Sequence, residues 1–164
     1  MDAKFKEIYL AGGCFWGVEA YFAQINGVVQ TSVGYANGKT AKPTYYDIKD
    51  SGHSETVLVK FDPEIISLSK LLDYYFNIID PTSKNKQGND FGSQYRTGIY
   101  YSYENDKKII TDYIENEQKK YSKPILVEVT PIENYTLAEE YHQDYLAKNP
   151  RGYCHIDLNS MPKN

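Results

Sequence analysis

The chain is poor in the residues that build metal sites and covalent staples. Its 164 residues include two cysteines, three histidines, two methionines and one tryptophan. The two cysteines, Cys14 and Cys154, form no C-x-x-C pair, so a zinc site is not expected, and no cofactor is implied. A chain of this length buries about 70% of its unfolded surface, so its core needs no disulfide. No stretch approaches the 18 or more apolar residues of a membrane span. The opening MDAKFKEIYL lacks the apolar run of a secretory signal. A net charge of −4 argues against a general nucleic-acid grip, which needs a basic face. These absences point to a reducing cytoplasm, where paired cysteines serve catalysis rather than structure. Nothing in the composition demands more than a monomer.

The apolar fraction is 41% and the charged fraction 24%, ordinary for one globular domain. The 17 tyrosines are unusual; each joins an apolar ring to a hydroxyl and suits half-buried walls and polar pockets. We expect a single domain over residues 1–158 and a polar tail over 159–164. Strands are predicted at 5–10, 28–35, 53–61, 97–101 and 125–129. Alternation in HSETVLVKF sends Val57, Val59 and Phe61 to one side, Leu58 and Lys60 to the other. Helices are predicted after Gly13, with Val18, Tyr21, Phe22 and Ile25 on one face; after Ser67, with Leu68, Leu71, Leu72, Tyr75 and Ile79; over 103–121; and near 137–147. Residues 36–52 and 80–96 read as loops, the second long enough to be functional. The mixture predicts an α+β fold: a two-layer, ferredoxin-like sandwich with helices packed on a mixed or antiparallel sheet.

The densest chemistry lies in AGGCFWGVEA, residues 11–20. A strand, Gly12-Gly13 and then Cys14 at a helix entrance places a thiol beside orphan N–H groups and the positive dipole end. A free thiol is only ~3% thiolate at pH 7. A dipole contribution of about 1 kcal/mol lowers its pKa by under one unit, too little to ionise it fully. On the residues alone, Cys14 reads either as a small buried thiol capping the turn or as a reactive nucleophile, for instance of a peroxidase or of a Cys–His hydrolase using His53 or His142.

GCFWG is similar to the signature of the A-type peptide methionine sulfoxide reductases. GYANG, PTYYDI, SGHSETVLVKFDP, DPTSKNKQGNDFGSQYRTGIY, AEEYHQDYL and NPRGYC follow in that family's order, so the resemblance covers residues 8 to about 157. It implies that Cys14 attacks the sulfur of an S-epimer methionine sulfoxide and that Glu55 is the proton donor. Tyr45 and Tyr95 match the family's two hydroxyl donors to the sulfoxide oxygen, and Asp90 a polar residue of the same pocket. Phe15 and Trp16 match the wall that receives the substrate methyl group. Glu55 can serve if burial keeps it protonated, because desolvation disfavours the charged carboxylate; the usual fate of a lone strand glutamate is exposure. A phenol stays protonated at pH 7 and so can donate to a developing anion. His53 reads as a turn residue, and His142 as a packing and hydrogen-bonding residue near the pocket.

The resemblance also implies that the Cys14 sulfenic acid is resolved by Cys154, which stands where many relatives keep a resolving cysteine, or by an outside thiol. Implied reductants are thioredoxin, glutaredoxin or glutathione. The tail GYCHIDL departs from the glycine-rich, cysteine-bearing tail of many relatives, which excludes a three-cysteine relay.

Overall fold

The computed structural model describes residues 5–13, 15–38, 43–44, 48–87, 90–143 and 145–148, and the side chains of these except 49–50, 86, 90–91, 93 and 146–147. Cys14, Tyr45 and Cys154 lie outside the described residues, as does the side chain of Asp90.

The first strand, β1 (Lys6–Gly12), ends where Gly13 turns the chain through a positive φ of 95°. Gly12 allows the turn to close tightly, since a Cβ there would lie 3.1 Å from Ile79 and 3.3 Å from Val18. Helix α1 (Phe15–Ala23) follows and buries Phe15, Val18, Tyr21 and Phe22. Gly27, at φ 103°, carries the chain into β2 (Val28–Ala36). A four-residue helix, α2 (Ile48–Ser51), precedes β3 (Ser54–Phe61). Helix α3 (Leu68–Ile78) starts as predicted: the Ser67 hydroxyl accepts the Lys70 N–H at 3.1 Å. Then come β4 (Lys86–Gln87), β5 (Asp90–Phe91), a 3-10 turn (Ser93–Tyr95) and β6 (Thr97–Tyr101). Helix α4 (Glu104–Gln118) leads to β7 (Glu128–Pro131), β8 (Tyr135–Leu137), a 3-10 turn (Glu140–His142) and α5 (Tyr145–Lys148).

The main sheet has six strands in the order β7-β6-β1-β3-β2-β8. All pairings are antiparallel except β6 with β7, so the sheet is mixed and the fold is α+β. The long helices share one apolar cluster with one face of the sheet: Val18 and Phe22, Leu71 and Leu72, and Ile110 meet Ile8, Leu10, Val57, Val59 and Ile99. Ala11, Ala36 and Tyr100 form a smaller cluster on the other side, with Tyr9, Ile132 and Tyr135 against it. No helix among the described residues is long and apolar enough to cross a membrane.

Several expectations need correction: the loop predicted over 36–52 carries α2, and the first helix ends at Ala23, before the predicted Ile25. The loop predicted over 80–96 carries the β4–β5 hairpin and a 3-10 turn. The strand predicted at 125–129 begins three residues later, at Glu128, because the Leu126 N–H is taken by Pro81 O at 2.7 Å. The helix predicted near 137–147 is broken: Ala138 N–H donates to Val33 O at 2.9 Å, and the Gln143 amide pairs with both Val33 backbone groups at 2.9 Å. Those contacts hold the segment along β2, where a continuous helix cannot lie.

Candidate active site

Glu55 decides the site. Strand parity puts it on the face of Val57, Val59 and Phe61, towards the helices, and it is 1% exposed. It stands opposite Tyr35 in the β2–β3 register. Its Oε1 accepts the backbone N–H of Phe15 at 3.1 Å, the residue that follows the motif cysteine in sequence. The carboxyl group therefore meets the first turn of α1, where orphan N–H groups need acceptors.

Aromatic rings pack beside this carboxyl group, starting from Phe15 and Tyr35. Phe15 is buried and packs on Tyr35 at 5.8 Å between centroids and on His142 at 5.3 Å. The Trp16 indole N–H donates to His142 Nδ1 at 3.0 Å, and its ring stacks on Tyr145 at 3.8 Å and 11°. Accepting on Nδ1 requires a neutral imidazole with its proton on Nε2. Burial supports that form, pushing the His142 pKa below its ordinary value, while Glu139 opposes it. Glu139 accepts the Tyr35 hydroxyl at 2.6 Å. The Tyr35 phenol is pushed far above its usual range by burial first, then by the hydrogen bond to Glu139 and its charge. Tyr35 therefore stays protonated.

Tyr95 closes the 3-10 turn that packs against β3; it is half-buried, and its N–H donates to Gly92 O at 3.0 Å. Asp90 opens β5, upstream of that turn. His53 is fully buried with Nδ1 2.7 Å from Ser51 Oγ, and its ring occupies the space that a Cβ on Gly38 would need. The structure thus brings together Glu55, Phe15, Trp16 and His142. Tyr35, Glu139 and Tyr145 were not anticipated. Strand parity could have found Tyr35, two residues from Val33 on the same face; no local pattern marks Glu139 or Tyr145.

The site thus sets a buried carboxyl group at a helix entrance, with aromatic rings packed beside it. The family model described as "Peptide methionine sulfoxide reductase" matches residues 6–164. The chain belongs to that family, and it is a reductase of the A type. Peptide methionine sulfoxide reductase MsrA of Clostridium perfringens (strain SM101 / Type A) is 61% identical over 155 residues, covering 93% of this chain and 99% of that protein. The crystal structure of reduced Mxr1 from Saccharomyces cerevisiae superposes with a TM-score of 0.89 at 40% identity, covering 96% of this chain and 94% of that one. Methionine sulfoxide reductase A of Corynebacterium diphtheriae also gives 0.89, at 36% identity, covering 93% and 78%. Mxr1 in complex with Trx2 gives 0.64 at 33% identity, covering 87% and 86%.

Proposed function

We propose that the chain reduces the S epimer of methionine sulfoxide, free or in proteins, with Cys14 as nucleophile and Glu55 as general acid. The observation that carries this reading is the burial of Glu55 on the Phe15 N–H. The Cys14 thiolate attacks the sulfoxide sulfur, and the oxygen takes a proton from Glu55 as the S–O bond weakens. Oxygen passes to Cys14 as a sulfenic acid; the substrate sulfur gains two electrons and the cysteine sulfur loses two. Tyr45 and Tyr95 hydrogen-bond the developing oxyanion, and Asp90 helps to shape that side of the pocket. Phe15 and Trp16, backed by His142, receive the methyl group. Polar donors on one side and aromatics on the other distinguish the two epimers.

The Cys154 thiol then condenses with the sulfenic acid to a disulfide and releases water. A thioredoxin-type dithiol reduces that disulfide; the complex of the yeast relative with Trx2 supports this partner, while glutaredoxin or glutathione would act on the sulfenic acid directly. We further read residues 1–158 as one monomeric domain working in the cytoplasm. Its β1-α1-β2-β3-α3-β6 core is read as ferredoxin-like, supported by the antiparallel order β6-β1-β3-β2.

Incubation with dithiothreitol and each epimer tests the reaction. Methionine is expected from the S epimer alone, and no product from either overturns the reading. Glu55→Gln keeps the acceptor for the Phe15 N–H but not the acid, so the reductase step should fall ~10²–10⁴-fold. One equivalent of substrate should consume two thiols in the wild type and one in Cys154→Ser.

A further inference from the structure

Arg96 has no part in the chemistry above, yet it directly follows Tyr95 and bonds the chain that leads into the Glu55 strand. It follows Tyr95 directly and precedes β6, with a side chain only 16% exposed. Its Nε donates to Glu128 Oε1 at 2.9 Å, Nη1 to Gly52 O at 2.9 Å and Nη2 to Asn37 O at 3.2 Å. Gly52, at φ 78°, lies three residues before Glu55. Asn37 follows the last residue of β2 in a left-handed conformation, φ 51°, and its own side chain binds Glu133 N–H at 2.8 Å and Pro131 O at 3.2 Å.

A second path runs through the same carboxylate. Glu128 Oε1 also accepts the Tyr100 hydroxyl at 2.8 Å, and that hydroxyl lies 3.1 Å from Ser54 Oγ, on the residue before Glu55. One guanidinium fork thus joins the end of β2, the chain leading into β3, the Tyr95 turn and β7. Its planar geometry meets three acceptors at once, which a lysine ammonium on a flexible stem cannot reproduce.

We propose that Arg96 is a positioning residue of the reductase step, holding Glu55 and Tyr95 at a fixed separation around the sulfoxide oxygen. This rests on the reading of Glu55 as the acid. A displacement of about 1 Å in such an arrangement costs on the order of 10²-fold in rate. Arg96→Lys should therefore lower the single-turnover rate of methionine formation ~10–100-fold, with a smaller change in KM. In the Glu55→Gln background the same substitution should cost several-fold less than in the wild type, since Glu55, one of the two groups whose separation it fixes, no longer acts. Arg96→Ala should regain part of its rate on addition of millimolar guanidinium chloride, a response that general loosening of the fold would not give.

A wild-type single-turnover rate in Arg96→Lys, with Glu55→Gln impaired, overturns the proposal alone. So does an undiminished Arg96→Lys effect in the Glu55→Gln background. A wild-type rate in Glu55→Gln overturns the acid assignment, and this proposal with it.

Discussion

Replacing Trp16 with phenylalanine tests the wall of the site without emptying it. Phenylalanine keeps a ring against Tyr145, now 3.8 Å away, but loses the indole N–H that His142 Nδ1 accepts at 3.0 Å. His142 is 1% exposed, so water cannot simply replace the donor. Depriving a buried acceptor of its donor costs about 1–3 kcal/mol. For a chain of this size each kcal/mol lowers Tm by about 2–4 °C. The expected fall is therefore roughly 2–12 °C by scanning calorimetry of the reduced protein at pH 8. The pair can be isolated by a double-mutant cycle with His142→Asn, which should give a coupling of about 0.5–3 kcal/mol. The His142 pKa is lowered in the fold, so the unfolded chain takes up its proton first as pH falls. The stability it contributes is fully present above about pH 6.5 and is lost as pH falls towards the folded value. The Tm gap between wild type and His142→Asn should accordingly narrow from pH 7 to pH 5. A Tm drop below 1 °C in Trp16→Phe, or effects that simply add, would refute the reasoning.

Three further substitutions probe the scaffold. Tyr75 is fully buried; its hydroxyl accepts the Gly98 N–H at 3.1 Å and donates to Ala11 O at 2.6 Å, clamping β1 and β6 behind the Gly12-Gly13 turn. Tyr75→Phe should cost about 1–3 kcal/mol in urea unfolding, and no measurable loss would contradict the clamp. A Cβ at Gly34 would meet the Tyr135 ring at 2.5 Å and Thr136 O at 2.6 Å. Gly34→Ala should destabilise by about 1–3 kcal/mol and speed hydrogen exchange along β8, the edge strand it pushes away. Ser67→Ala removes the cap on the Lys70 N–H and should lower stability by about 1 kcal/mol, with the denaturant slope unchanged.

The longest periodic segments were legible because their signal is local. Alternation in β3 fixed the faces of Val57, Val59 and Phe61, and by the same parity that of Glu55. Ser67 and the 3.6-residue repeat marked α3, and Gly12-Gly13 marked the start of α1, while Gly27 turns the chain four residues after α1 ends at Ala23. The C-terminal region resisted reading because its backbone partners are remote. Ala138 and Gln143 bind Val33, over a hundred residues earlier, and that demand outweighs local helix propensity. The β4–β5 hairpin is too short for its two-residue strands to show a period.

By itself, the amino-acid sequence determined the family, the residue types available for the chemistry, and a helix opening beside Cys14. These follow from motif order and short-range patterning. Only the tertiary structure decided that Glu55 is buried rather than solvated, that its carboxyl group meets the Phe15 N–H, that Trp16 leans on a neutral His142, and that Arg96 ties the surrounding segments together. These contacts join residues 32 to 126 positions apart in the chain. Burial and hydrogen-bond partnership across such separations are set by how the sheet and helices close on one another, and no local pattern encodes them.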